Sequence, residues 1–132
     1  MALRTMALPM HTLLDTARVF LRTAREEIEE GIPGPDWVKI RDGAEKAWNA
    51  VLQSTDHAME RHRRTPLPWR MAHADRREFL EELGRTDLAQ RYSYFADRLH
   101  GDIFYDGRTV SPAVLHRLLD EVEQYLAETT DL

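Results

Sequence analysis

The chain has 132 residues, no cysteine and a formal net charge of −5, which excludes disulfides and thiolate metal sites and disfavours nucleic-acid binding by the average surface. This length fits one domain with a sizeable core, so we expect a single domain over 1–132 with a flexible tail over 1–9. No apolar stretch reaches membrane-span length, so we expect a cytoplasmic protein without membrane contact.

Helical periodicity dominates the first half of the chain. Apolar residues recur at alternating steps of four and three over residues 10–30 and predict the first helix. Gly31 and the Pro-Gly-Pro run at 33–35 end it. The same pattern predicts a second helix over about 35–62. Gly43 lies inside that helix, where a missing side chain lets a neighbouring helix approach closely.

A short extra helix is predicted after the proline-rich connector at 65–69. Asp75 is its expected N-cap, Glu78 three residues later suggests a capping box, and Gly84 ends the helix. Its apolar residues are expected to face inward: Phe79, Leu80 and Leu83.

Two further helices are predicted, over about 86–103 and 112–128, with a turn at 105–108 between them. Ser111 is the expected N-cap of the last helix, and Pro112 occupies N1, where its missing N–H costs nothing. The alternation that is typical of strands is absent. The sequence therefore predicts an all-α protein: an antiparallel up-and-down four-helix bundle with a short extra helix between helices two and three.

Six histidines raise the question of a metal site. Di-metal bundles use Glu-x-x-His pairs on two of their helices. Neither Glu-x-x-His nor His-x-x-x-His occurs in this chain. We therefore predict no metal site and no cofactor.

A basic connector over residues 61–77 is the main candidate for ligand binding. It contains six arginines and one acid, and its charge of +5 leaves −10 for the rest of the chain. Arginines beside an aromatic ring can hold phosphate and stack a base. The candidate ligand-binding residues are Arg63, Arg64, Trp69, Arg70 and Tyr105. The alternative, which we favour, is that these arginines pair with the acidic end of helix one, or with Glu81 and Glu82.

A second candidate site is an aromatic cluster near the end of helix three. Its members are Tyr92, Tyr94, Phe95, His100, Phe104 and Tyr105. His100 lies next to the apolar seam, where an imidazole can act as an acid or a base. The alternative, again favoured, is a packing cluster in which His100 is hydrogen-bonded to a neighbour.

Two stretches resemble PaREP-type proteins of the HEPN superfamily. Gly43-Ala44-Glu45-Lys46-Ala47-Trp48-Asn49-Ala50-Val51 is similar to their A-x-E-K-A-W-x-A signature. Leu99-His100, followed by Phe104-Tyr105-Asp106-Gly107, is similar to their "LH…YYDG" ending of helix three. The order and lengths of the helices also fit.

The resemblance implies a HEPN-like bundle that pairs as a homodimer. Some relatives are metal-independent ribonucleases, and others are inactive partners of nucleotidyltransferases or binding domains. Active members carry an arginine, four to six residues and then a histidine. Here eight residues separate Arg91 from His100, and one separates Arg98 from it. If a ribonuclease site exists, we expect His100 with Arg91 as its catalytic residues.

We therefore expect a non-enzymatic HEPN-like interaction domain that binds a partner protein or a nucleotide-containing ligand. The expected partners are a second copy of the chain and a nucleotidyltransferase-type protein. Apolar residues outside the main seams also favour a dimer: Val19, Leu52 and Val114. The alternatives are a metal-independent ribonuclease, and a nucleic-acid or nucleotide-binding domain that uses the basic connector.

Overall fold

The computed structural model describes residues 12–63 and 72–132, and both parts are helical. The helices are α1 Leu13–Gly31, α2 Trp37–Arg63, α3 His73–Glu82, α4 Thr86–Phe95 and α5 Pro112–Thr130. A π-helical segment, Ala96–Tyr105, directly continues α4. The all-α prediction is thus confirmed, while the predicted tail lies outside the described residues. In the described ranges no helix combines the length and apolarity that a membrane crossing requires.

Side-chain caps define where α1 and α5 begin. The Thr12 hydroxyl accepts a hydrogen bond from the Asp15 N–H at 3.1 Å, and the Asp15 carboxylate accepts one from the Thr12 N–H at 3.2 Å. At α5 the Ser111 hydroxyl accepts from the Val114 N–H at 3.2 Å, with Pro112 as the first helical residue. The predicted cap of the last helix is therefore confirmed.

The short helix α3 differs from the prediction at its start. Asp75 is not the N-cap but the third residue of the helix, and its carboxylate accepts a hydrogen bond from the Ala72 N–H at 3.2 Å. This reverse bond satisfies an otherwise free amide, so the helix begins two residues before Asp75. Leu83 follows the helix end and is exposed, contrary to expectation. Gly84 ends the helix as predicted, with φ +77°.

Helices α1 and α2 approach closely at two glycines. A Cβ on Gly43 would lie 2.6 Å from Ile28 Cγ1 and 3.1 Å from the Ala24 carbonyl oxygen. A Cβ on Gly31 would lie 2.8 Å from Ile40 Cγ1. The close approach predicted at Gly43 is confirmed, and it buries the apolar seams of both helices.

The acidic end of α1 pairs with lysines of α2. Glu27 bonds Lys46, and Glu30 bonds Lys39 at 2.7 Å. Two of the arginines expected there have other partners, and Arg64 and Arg70 lie outside the described residues. Arg61 donates to the Thr130 carbonyl oxygen at 2.9 Å, and Arg76 pairs with Asp56.

Helix α2 is the central element, because it contacts every other helix of the described chain and the π-helical segment. Its buried Thr55 hydroxyl and the Tyr125 hydroxyl of α5 lie 2.7 Å apart. Burial raises the pKa of Tyr125 far above its ordinary value, so its hydroxyl stays neutral. The Tyr125 ring also meets Phe95 edge-on, with centroids 5.7 Å apart. The Thr55–Tyr125 hydrogen bond therefore lies within an aromatic part of the core.

The segment predicted as the end of an α-helix is instead π-helical over Ala96–Tyr105. At its end the Asp106 N–H donates to the Gly101 carbonyl oxygen, five residues back, at 2.9 Å. Such i to i−5 bonds turn the following side chains relative to a regular α-helix, and they are frequent at functional sites. His100 lies within this segment.

Candidate functional site

One face of α2 holds the π-helical segment in place. Arg41, Glu45 and Trp48 follow each other at steps of four and three, which places them on one side of the helix. The Arg41 guanidinium donates from Nε and Nη2 to the Phe104 carbonyl oxygen, at 2.9 and 2.7 Å. Glu45 and Trp48 both meet His100. This face therefore fixes both the backbone and the imidazole of the segment.

His100 forms a carboxylate–imidazole pair with Glu45. Its Nδ1 lies 2.8 Å from Glu45 Oε1 and 3.2 Å from Oε2. The carboxylate is the acceptor, so Nδ1–H is the donor, which leaves Nε2 to accept a proton. The ring stacks on Phe104, with centroids 6.0 Å apart and planes 21° apart. The side chain is 44% exposed, so a ligand can reach it.

A second imidazole, His73, also lies close to the Trp48 indole. The Trp48 ring centroid is 5.7 Å from that of His73 and 6.2 Å from that of His100. His73 Nδ1 lies 2.6 Å from the Tyr92 hydroxyl, which also accepts a bond from Arg76 Nη1 at 3.3 Å. The Tyr92 hydroxyl hydrogen can then bond His73 Nδ1 and leave the ring hydrogen on Nε2.

The two imidazoles therefore have opposite roles. The carboxylate partner of His100 leaves its Nε2 as a proton acceptor. When the Tyr92 hydroxyl donates to His73 Nδ1, the Nε2–H of His73 is a donor. The site beside Trp48 thus has one imidazole that can accept a proton and one that can donate a proton.

A buried ion pair supports the His73 side of the site. Arg76 Nε and Nη2 donate to the two carboxylate oxygens of Asp56, at 2.7 and 3.0 Å. The side chains of Arg76 and Asp56 are only 10% and 16% exposed. The bidentate geometry fixes the guanidinium, whose remaining nitrogen orients Tyr92. Burial raises the pKa of Tyr92, so its hydroxyl is neutral when it bonds His73.

The pKa of His73 lies below its ordinary value of 6.5, because of burial first and then the charges of Arg76, Arg77 and His100. The pKa of His57 is also lowered, mainly by burial. Folding thus favours neutral His73, and its contribution to stability is complete above about pH 6.5 and is lost as pH falls below it.

We therefore expect the free energy of unfolding to decrease between about pH 7.5 and pH 5.5, and to decrease less in His73→Gln. Urea unfolding of both proteins across this range measures the difference. His57→Gln is the matched variant and should remove a separate part of the slope. The same slope in wild type and His73→Gln would contradict this assignment.

The structure does not bring the two predicted catalytic residues together. Arg91 pairs with Glu128, donates to the Glu121 carbonyl oxygen at 3.2 Å, and lies over the Tyr125 ring, 5.8 Å from its centroid. These partners all belong to α5. His100 instead contacts α2 through Glu45.

The predicted ligand-binding residues are only partly described. Arg64, Trp69 and Arg70 lie outside the described residues. Arg63 is exposed at the end of α2 and lines a groove of about 450 Å³. Tyr105 ends the π-helical segment and is 74% exposed. No contact joins Arg63 to Tyr105 in the described structure.

Sequence reasoning missed the residues that complete the site: Glu45, Asp56, His73 and Arg76. Glu45 had a detectable signal, because Arg41, Glu45 and Trp48 form a stripe on α2. The sequence contains no comparable signal for His73, because its partner Tyr92 lies nineteen residues away on another helix. Over 12–63 and 72–132, no three histidine or acidic side chains are grouped so that they could hold a metal ion.

Comparisons with known proteins identify no relatives of this chain. No protein-family model matches the chain, and no curated protein or solved structure does either. The geometry and chemistry of the site are therefore the basis for the proposed function.

Proposed function

We propose that this chain is a HEPN-like interaction domain of the PaREP type, which is non-enzymatic and pairs with a second copy of itself. One observation carries the proposal. The two stretches that resemble this family meet in space, through the Glu45–His100 hydrogen bond and the approach of Trp48 to His100. A nucleotidyltransferase-type protein is the other partner we propose, and the cytoplasm is the proposed compartment, as the absence of cysteine favours.

Contacts between the helices support an up-and-down bundle of four helices with α3 as the extra helix. Gly43 meets Ile28 while Gly31 meets Ile40, which is the pattern of an antiparallel α1–α2 pair. Arg41 meets Phe104, and Glu45 meets His100, which makes the π-helical segment antiparallel to α2.

Helix α5 completes this arrangement. Phe95 meets Tyr125 and Arg91 meets Glu128, so α4 and α5 are antiparallel. Contacts between α1 and α5 complete the ring of four helices. The Thr55–Tyr125 hydrogen bond joins α2 and α5, which lie diagonally across that ring.

A non-enzymatic role is supported by the partners of the arginines. Ribonuclease chemistry at His100 needs a cation near the scissile phosphate. Arg91 is held by Glu128, Arg76 by Asp56, and Arg41 by the Phe104 carbonyl oxygen. No arginine of the described residues bonds to His100. Over the described residues, the imidazole is thus available for binding without an arginine bonded to it.

A metal-independent ribonuclease is the second candidate, because the two imidazoles have opposite roles. His100 Nε2 would accept the proton of a ribose 2′-hydroxyl while its oxygen forms a bond to phosphorus. The bond from phosphorus to the 5′-oxygen would break, and His73 Nε2–H would protonate that oxygen. No metal enters this sequence of steps.

An assay with labelled RNA in excess EDTA separates the two functions. We expect no cleavage above the buffer blank from wild type, because no arginine of the described residues bonds to His100. His100→Ala tests the imidazole, and His116→Ala, an exposed histidine of α5, is its matched control. Cleavage by wild type and His116→Ala that is lost in His100→Ala would contradict the proposal and support the ribonuclease.

A further inference from the structure

The exposed face of α1 is divided into a basic half and an acidic half. Arg18 and Arg22 occupy its first part, and Glu26 and Glu29 its last part. All four are exposed, and none forms an ion pair within the described chain. Steps of four, four and three place them on one side of the helix. Val19, 47% exposed, is the large apolar residue beside them.

One of these charges, Glu29, lies in an unfavourable position within the single chain. Glu29 lies in the last turn of α1, where the helix dipole disfavours an acid, and that turn has no basic residue. Glu30 in the same turn bonds Lys39, but Glu29 has no such partner. An interaction outside the single chain can supply one.

A groove runs along the basic half, between α1 and α5. Its volume is about 440 Å³, and Leu21, Leu126 and Ala127 supply apolar atoms to its lining. Arg18, Arg22 and Arg25 line the α1 side, and Glu123 on the α5 side pairs with Arg25 at 3.4 Å. The groove therefore has an apolar floor beside Arg18 and Arg22, next to the acidic half of the same helix face. A face that carries both charges in separate halves can pair with its own copy.

We propose that a second copy of this chain packs on this surface, with its α1 antiparallel to the first. With the two-fold axis on the exposed side of α1, at the level of Ala24 along the helix, Arg22 would face Glu26 of the partner subunit, and Arg18 would face Glu29 of the partner subunit. Each contact occurs twice, because the axis makes the interface isologous. This inference rests on the proposed homodimer and names the surface that forms it.

Charged residues determine the direction and register of this interface, and apolar residues provide its affinity. Exposed ion pairs contribute little affinity, but like charges in contact are costly, so the two halves of α1 set direction and register. Val19 and the floor of the groove provide the apolar area that drives association. Parallel α1 helices would place basic half on basic half and are therefore disfavoured.

Charge reversal in two separate proteins tests the interface. Arg18→Glu with Arg22→Glu makes the whole face acidic, and Glu26→Arg with Glu29→Arg makes it basic. Each double variant alone should dimerise on the order of 100-fold more weakly than wild type in sedimentation equilibrium. An equimolar mixture should form a heterodimer, and the protein carrying all four changes should dimerise again.

Glu81→Arg with Glu82→Arg on the exposed surface of α3 is the matched control and should dimerise like wild type. Circular dichroism checks that every variant is folded. Unchanged dimerisation of both face variants, or no heterodimer in the mixture, would overturn this interface and leave the homodimer standing. A monomeric wild type would overturn both the interface and the homodimer.

Discussion

Replacing Asp56 by alanine should lower the free energy of unfolding by about 3 kcal/mol. The change leaves the Arg76 guanidinium, only 10% exposed, without the carboxylate that accepts its two hydrogen bonds. A buried charge without its partner costs more than the pair itself contributes, because the guanidinium stays removed from solvent and loses the charge that compensated it. Urea unfolding followed by circular dichroism measures the difference.

Two controls separate the stranded charge from a general loss of packing. Arg76→Met in the Asp56→Ala background removes that charge and should recover most of the lost stability. Arg117→Ala removes one partner of the exposed Arg117–Glu121 pair and should have little effect. Equal stability of Asp56→Ala and wild type would show that the guanidinium does not depend on this carboxylate.

Gly43→Val should also destabilise the protein, by about 3 kcal/mol. A Cβ at this position already lies 2.6 Å from Ile28 Cγ1 and 3.1 Å from the Ala24 carbonyl oxygen. The carbonyl belongs to a helix backbone and cannot rotate away, so α1 and α2 must separate. The midpoint of thermal or urea unfolding reports this separation.

Gly34→Val is the matched control, since a Cβ at Gly34 meets nothing within 4 Å. It adds the same side chain in the turn between the same two helices and should change stability far less. Similar losses in the two variants would mean that the cost comes from glycine replacement itself and not from the helix contact.

Local sequence features predicted much of the fold. Gly43 lies within a regular apolar seam, so its role at a close helix approach could be predicted without coordinates. Ser111 followed by Pro112 predicted the start of α5, and Gly84 predicted the end of α3. Each of these signals depends on residues within one or two helical turns.

The features that could not be predicted depend on longer-range contacts. The π-helical segment has the apolar pattern of an α-helix, and its different hydrogen bonding accompanies the contact of Arg41 with the Phe104 carbonyl oxygen. Asp75 was expected to cap α3 directly, although its carboxylate bonds back to residue 72 from the third position. An acidic residue is suited both to the N-cap and to the third helical position, so the sequence alone did not distinguish the two arrangements.

The candidate site was predicted in part. The sequence pointed to His100 and to a hydrogen-bonded neighbour as the favoured alternative, and Glu45 is that neighbour. Arg91 was chosen by its distance along the chain, but its guanidinium turns towards α5 and Glu128. The number of residues between Arg91 and His100 did not reveal this, because residues only one or two positions apart point to different sides of a helix.

Sedimentation equilibrium of the wild-type protein at micromolar concentration tests the proposed homodimeric domain most directly. The proposal predicts a mass of about twice the 15.4 kDa of the chain, and a stable species of 15.4 kDa would contradict it.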